Sequence, residues 1–119
     1  MQMIIGLDFG TSFSKVVLGE SRVRYAVPMQ DQETGVNRYT VPVKLIVDDN
    51  GQCRVGEAGQ DDRVFDDLKM EFLRGKSTLE IHIHIVAYLA LLFRHSRGWL
   101  FAEKAVVYRD TIFEWFVNI

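Results

Sequence analysis

Residues 4–19 read IIGLDFGTSFSKVVLG, and this stretch decides the fold that the sequence predicts. Its first four residues are almost continuously apolar except for Gly6, a pattern typical of a central strand that is covered on both faces. A short polar turn follows, and residues 14–18 again favour a strand because they end in two valines and a leucine. The stretch therefore predicts a β-hairpin with a polar tip.

The turn of this hairpin has the residue types of a phosphate-binding loop. Gly10 allows a sharp bend and a close approach of the backbone to a ligand, and successive N–H groups in such a turn converge on an anion. Thr11 and Ser12 add hydroxyl donors. Asp8 would repel a bare phosphate, so its place here indicates an intervening cation, and magnesium is the natural candidate because it prefers oxygen ligands. The alternative is a plain hairpin in which Asp8 and Thr11 only satisfy backbone groups.

The whole stretch resembles the first phosphate motif of the superfamily of actin, sugar kinases and 70-kDa heat-shock chaperones. That motif places two apolar residues before G-apolar-D-x-G-T-[ST]-x-[ST]-x-V. The resemblance implies ATP and magnesium as cofactors, with Asp8 organising the metal ion as a catalytic residue. The residues Gly10, Thr11 and Ser12 would face the β- and γ-phosphates. The positions that match are Gly6, Leu7, Asp8, Gly10, Thr11, Ser12, Ser14 and Val16.

Lys15 lies at a position where the branches of this superfamily differ. Actin-like filament proteins carry a lysine there and many sugar kinases an arginine, whereas the chaperones usually carry an uncharged residue. A lysine is a compact point charge that suits phosphate oxygens. We therefore expect Lys15 to contact phosphate, and the alternative is a solvated lysine on a strand face.

Three later segments resemble the chaperone branch. Residues 38–42, RYTVP, are similar to its R-x-T-P segment, and residues 55–58, VGEA, are similar to V-G-[ED]-A-A. Residues 64–69, VFDDLK, resemble V-F-D-x-K-R, whose lysine assists hydrolysis of the γ-phosphate. Lys69 stands one residue later than that pattern requires, so the alternative is a solvated lysine on a helix face. The order of the segments favours a chaperone-like protein over a sugar kinase.

The composition is that of one folded domain. The chain has 119 residues, of which 48% are hydrophobic, enough for a core. Its net charge of −2 gives no reason to expect nucleic acid or an anionic membrane as a partner. The single cysteine, Cys53, excludes an intramolecular disulfide, and a reducing cytosol is therefore the predicted compartment. No apolar run approaches the roughly 20 residues that a membrane span needs.

Turn and strand patterns continue beyond the hairpin. Residues 22–28 alternate as a third antiparallel strand, and residues 29–38 are a polar loop. Residues 39–47 favour a strand, in which Pro42 indicates either an edge position or a break into two short pieces. The Asn50–Gly51 pair predicts a turn into a short strand at residues 52–55. We expect residues 29–75 to form an inserted subdomain.

A long helix is predicted at residues 79–96. Ser77 and Glu80 have the spacing of a capping box, and Gly98 is expected to end or kink the helix. Leu79, Ile83 and Val86 recur at helical spacing, but the other sides are apolar too, so we expect burial between layers or against another lobe.

Three further predictions concern the histidines and the last third of the chain. His82 and His84 are two residues apart and point to different sides of a helix, so no metal site is predicted from them. Trp99 and Phe101 are expected to pack over the helix end. Residues 105–108 are strand-like, and residues 111–119 predict a strand that lies parallel to the first one.

These patterns predict a mixed α/β fold of the ribonuclease-H-like type: an antiparallel meander, an inserted β-hairpin region and one long helix. The resemblance implies the amino-terminal part, residues 1–119, of a bacterial heat-shock-chaperone-like ATPase that hydrolyses ATP only when a carboxy-terminal lobe completes the site. Protein clients, co-chaperones and self-association through an exposed apolar helix are the expected interactions. The alternatives are an actin-like polymerising or interaction module and one lobe of a small-molecule kinase.

Overall fold

The computed structural model describes residues 1–30, 33–75 and 78–119, and within them it shows a mixed α/β architecture. The strands are β1 (Gln2–Phe9), β2 (Phe13–Gly19), β3 (Arg24–Ala26), β4 (Thr40–Pro42), β5 (Leu45–Val47), β6 (Cys53–Arg54), β7 (Arg63–Phe65) and β8 (Glu114–Asn118). The α-helices are α1 (Leu68–Leu73), α2 (Leu79–Glu103) and α3 (Ala105–Tyr108), and a 3₁₀ helix spans Gly35–Tyr39.

The main sheet is built around the predicted hairpin. It has five strands in the order β3-β2-β1-β8, and β4 also pairs with β2. The first three strands form the predicted antiparallel meander, and β8 lies parallel to β1 as expected. The strand β1 is therefore central in the sheet.

Only one face of this sheet is covered. Met3, Ile5 and Leu7 are buried, whereas Ile4 between them is 49% exposed. The prediction that β1 is covered on both faces is therefore wrong for the described chain. An apolar run shows that a strand is central, but it does not show that helices pack on both of its sides.

The break at Pro42 separates two sheets, as the proline predicts. Strand β4, which ends at Pro42, joins the main sheet. Strand β5 follows as the middle strand of a three-stranded sheet with the order β6-β5-β7. The Asp48 side chain stabilises the predicted turn between β5 and β6, since its Oδ1 accepts from the N–H groups of Asn50 and Gln52, both at 2.9 Å. Strand β7 was not predicted.

Helix α2 is longer than predicted, with 25 residues. The expected cap Ser77 lies outside the described residues, and Thr78 is the N-cap, with a side chain that accepts from the N–H of Ile81 at 3.3 Å. Gly98 does not end the helix, which continues to Glu103. Leu100 beyond the glycine is fully buried, and this burial offsets the roughly 1 kcal/mol that a helical glycine costs.

The face of α2 that enters the core is not the one that the spacing singled out. Tyr88, Leu92, Ser96 and Leu100 are buried, while Leu79 is 75% and Val86 65% exposed. Both sides of the helix carry apolar residues, so periodicity alone could not decide which side faces the sheet.

The segment after α2 departs from the prediction in two places. Residues 105–108 form α3 instead of a strand, although the valines at 106 and 107 favour strands locally. Trp99 and Phe101 lie within α2, not beyond it, and Trp99 packs edge-on against Tyr25 with ring centroids 6.1 Å apart. No helix in the described ranges is long and apolar enough to cross a membrane.

Candidate functional site

Asp8 and Lys15 face each other across the hairpin. Asp8 lies near the end of β1 and Lys15 near the start of β2, and the two are register partners. Both are exposed. Alternation along β1 places Asp8 on the same side of the sheet as the exposed Ile4, so this carboxylate and this ammonium group lie on the uncovered face.

Gly10 makes the tight turn that the motif requires. Its N–H donates to the carbonyl oxygen of Phe13 at 3.1 Å, and a Cβ at this position would lie only 2.4 Å from the same oxygen. Thr11 and Ser12 are exposed at the tip of the turn. The backbone of the turn is also held from outside, because the N–H of Val43 donates to the carbonyl of Ser12 at 2.9 Å.

Lys69 reaches this turn from α1. Its Nζ donates to the carbonyl oxygen of Phe9 at 2.7 Å and lies 5.8 Å from the centroid of the Phe9 ring. The side chain is partly buried, so the alternative of a lysine on a solvated helix face does not describe it. The fold thereby brings a cation from 60 residues further along the chain to the residue between Asp8 and Gly10.

A buried pair of hydroxyl groups lies beneath the hairpin. Ser14 is 1% exposed and its Oγ has no hydrogen-bond partner of acceptable geometry in the described structure. The neighbouring Tyr88 of α2 donates from its hydroxyl to the carbonyl of Pro42 at 3.1 Å. Burial raises the pKa of Tyr88 to about 12, and the Ser14 hydroxyl opposes that rise. Sequence analysis missed Tyr88, whose hydroxyl is the one polar side-chain group in the apolar run of residues 85–93.

The donor set at the hairpin fits magnesium bound through a ligand's phosphates and water. No group of three or more His, Cys, Asp or Glu side chains that is able to hold a metal ion occurs among the described residues. Asp8 is one exposed carboxylate, and magnesium is commonly held by one or two carboxylates together with substrate phosphates and waters.

The two histidines of α2 lie against aromatic rings. His84 stacks on Phe65 of β7 with ring centroids 3.9 Å apart, and His82 lies 5.6 Å from the ring centroid of Phe72. These contacts give both imidazoles a packing role between α2 and the elements that precede it.

An ion pair closes the loop that follows β6. This loop contains residues 55–58, VGEA. Arg54 pairs with Asp62 and also donates to the carbonyl of Glu57 at 2.9 Å. The hydrogen bond from Arg54 lowers the pKa of the Asp62 carboxyl below its usual range, and a smaller effect in the same direction comes from the N–H of Gly59. These contacts explain the shape of this loop without any ligand.

Comparison with known proteins found no match for this chain among family models, curated proteins or solved structures. The function is therefore argued from the hairpin, its turn and the lysine that reaches it.

Proposed function

We propose that this chain is the phosphate-binding lobe of an ATPase related to the 70-kDa heat-shock chaperones, with a ribonuclease-H-like fold. Two segments were singled out separately by their resemblance to that superfamily: the turn after Asp8 and the segment that ends at Lys69. The contact between Lys69 Nζ and the Phe9 carbonyl at 2.7 Å is the observation that carries the proposal. A lysine that reaches the turn from 60 residues further along the chain is what the proposal expects.

The strand order supports the same proposal. An antiparallel meander is followed, after a long helix, by a strand parallel to the first one, which is the arrangement expected for one lobe of such an ATPase. In this proposal the smaller sheet and α1 belong to the inserted subdomain of residues 29–75. They deliver Lys69 to the turn.

In this proposal each residue of the site has a defined task. The N–H groups and hydroxyls around Gly10, Thr11 and Ser12 bind phosphate oxygens, and Lys15 adds a positive charge from the strand face. Asp8 orients the waters of a magnesium ion, which supplies neutralising charge when it is bound. Lys69 stabilises charge on the γ-phosphate through donors that its contact with the Phe9 carbonyl does not use.

Hydrolysis requires more groups than this chain offers. Closure of a second lobe excludes water and completes such sites, so we expect binding without turnover by the 119 residues alone. Protein clients and co-chaperones are the partners that this function implies, and a reducing cytosol is the compartment that it suits.

Isothermal titration calorimetry with ATP, ADP and adenosine in the presence of magnesium tests the proposal. We expect ATP to bind more tightly than adenosine, because the phosphates make the contacts. Lys69→Met should weaken ATP binding by about 10-fold or more, the usual loss for a charge-assisted hydrogen bond, and leave adenosine binding unchanged. Equal affinities of the wild type for ATP and adenosine would refute the proposal.

Lys104→Met is the matched control for that variant. Lys104 is also partly buried, and its Nζ lies over an aromatic ring, 5.3 Å from the centroid of Tyr25. It lies at the far end of α2, so its loss should leave ATP binding unchanged. The Asp8→Asn variant should remove the dependence of ATP binding on magnesium.

An actin-like assembly protein is the second candidate, and Lys15 is the observation that favours it. Its side chain is exposed and opposite Asp8, where the filament-forming branch carries a lysine. Light scattering after addition of ATP and magnesium separates the two functions, since filaments scatter strongly and a chaperone lobe does not.

A further inference from the structure

The outward face of α2 begins with an uncovered apolar stripe. Leu79 is 75% exposed, Ile83 55% and Val86 65%, and Ala90 continues the same line at helical spacing. This line is on the opposite side of the helix from the buried Tyr88. A surface helix normally turns charged residues to water on this side, so the stripe indicates an interaction surface.

The stripe continues onto the neighbouring helix. Phe72 and Leu73 of α1 are 46% and 62% exposed. A concavity of about 350 Å³ between the two helices is lined by these two residues together with His82, Ile85 and Val86, and by Phe9 and Lys69 at the edge of the candidate site. The apolar surface is therefore wider than a single helix line, as a docking surface requires.

The charges beside the stripe are arranged with opposite signs at its two ends. Glu80 lies in the first turn of α2, and Arg94 lies 14 residues further on, close to four helical turns, and so on the same flank. Both side chains are exposed. Neither forms an ion pair within the described parts of the chain.

We propose that this surface binds a second copy of the chain, with the two α2 helices antiparallel about a two-fold axis. In that arrangement the same flank of both helices lies on one side of the interface, so Glu80 of each copy faces Arg94 of the other. Val86 lies near the two-fold axis and meets its equivalent, while Ile83 of each copy faces Ala90 of the other. A parallel arrangement would place these flanks on opposite sides of the interface, so that Glu80 and Arg94 could not pair, and it is therefore disfavoured.

Sedimentation velocity of the 119-residue chain, over roughly 1–500 µM, tests this dimer. We expect the mass to rise from that of the monomer to that of the dimer within this range, because the surface is of the small class that gives weak association. Ile83→Glu should weaken the association at least 10-fold. Ile112→Glu is the matched control, since Ile112 is 88% exposed and lies outside the stripe, and it should associate like the wild type.

A charge exchange tests the antiparallel arrangement. Glu80→Arg and Arg94→Glu should each weaken the dimer, and the double variant should recover the affinity of the wild type, because the pair is restored with its signs reversed. Circular dichroism of each variant verifies that α2 is intact. All these variants leave Asp8, Gly10 and Lys69 in place, so ATP binding is scored separately from association.

Three results would overturn the inference. The first is a chain that remains a monomer at every concentration. The second is equal association of Ile83→Glu and Ile112→Glu, which would assign self-association to another surface such as the uncovered sheet face. Failure of the double variant to recover would exclude the antiparallel pair.

Discussion

Gly10 and Gly98 are two glycines with opposite roles. At Gly10 a side chain has no room, since a Cβ would lie 2.4 Å from the Phe13 carbonyl oxygen, while at Gly98 nothing lies within 4 Å. The first glycine is required by the turn, and the second only weakens a helix.

Alanine substitutions at the two glycines should therefore change stability in opposite directions. Gly10→Ala should lower the free energy of unfolding by about 1–3 kcal/mol, because the turn has to distort. Gly98→Ala should raise it by roughly 1 kcal/mol, the difference in helix propensity. Urea denaturation of both variants measures these changes, and a stable Gly10→Ala protein would show that the turn is looser than described.

The contact between Lys69 and the Phe9 carbonyl is the other decisive feature at the scale of residues. A lysine ammonium group has three donors, so this contact positions the group without using all of its hydrogen-bonding capacity. Under the proposed function, the remaining donors serve a phosphate in the adjacent turn.

At the scale of elements, Tyr88 connects the long helix to two strands of the main sheet. Its hydroxyl bonds the Pro42 carbonyl at the end of β4, and its ring lies 5.8 Å from the ring of Phe9 at the end of β1. The position of α2 on the sheet and the shape of the candidate site are consequently coupled through one side chain.

Because the Tyr88 hydroxyl is buried, the stability of the chain depends on pH in the alkaline range. The pKa of Tyr88 is about 12 in the folded chain, above its ordinary value of 10.0. The unfolded chain releases this proton first, so the contribution is complete below pH 10, decreases as the pH rises, and is gone once the pH passes about 12. Burial and the hydrogen bond with Tyr25 also raise the pKa of Tyr108, so that residue adds to the same trend.

The Tyr88→Phe variant should lose stability less steeply between pH 9.5 and 11.5 than the wild type, because it has no hydroxyl that ionises. At pH 7 the variant should be less stable by about 1 kcal/mol, because it lacks the hydrogen bond to Pro42. Urea midpoints of both proteins across this pH range provide the measurement. Parallel curves would mean that Tyr88 ionises equally in the folded and unfolded chain.

At the scale of the whole molecule, the main sheet has one covered and one open face. Ile4, Val17 and Phe116 are 49%, 41% and 44% exposed on the open side, and the registers of β2 and β8 with β1 place them together. The candidate residues Asp8 and Lys15 share this face. The open side is therefore where a ligand or a further lobe has access to the site.

Two adjacent isoleucines test this layering directly. Ile5 is 0% exposed beneath α2 and Ile4 is 49% exposed on the other side. Ile5→Thr should cost about 2–5 kcal/mol of unfolding free energy, because it leaves a cavity and buries a hydroxyl, whereas Ile4→Thr should cost about 1 kcal/mol or less. Chemical denaturation of both variants distinguishes them, and equal losses would mean that the open face is covered in solution.

The sequence alone determined the parts of the fold that depend on neighbours along the chain. The hairpin of residues 4–19, the break at Pro42 and the turn at residues 48–51 follow from strand-forming runs and turn residues, whose effects are local. The parallel last strand follows from the general rule for crossover connections. The candidate site residues of the turn also came from one continuous stretch, and their function stays a prediction.

Only the tertiary structure decided which surfaces are buried and which distant groups meet. It turned Leu92 of α2 inward and Val86 outward, continued the helix through Gly98, made residues 105–108 helical and placed Lys69 on the Phe9 carbonyl. Each of these outcomes depends on contacts between residues far apart in the chain, and the burial that such contacts provide outweighs local propensities of about 1 kcal/mol or less.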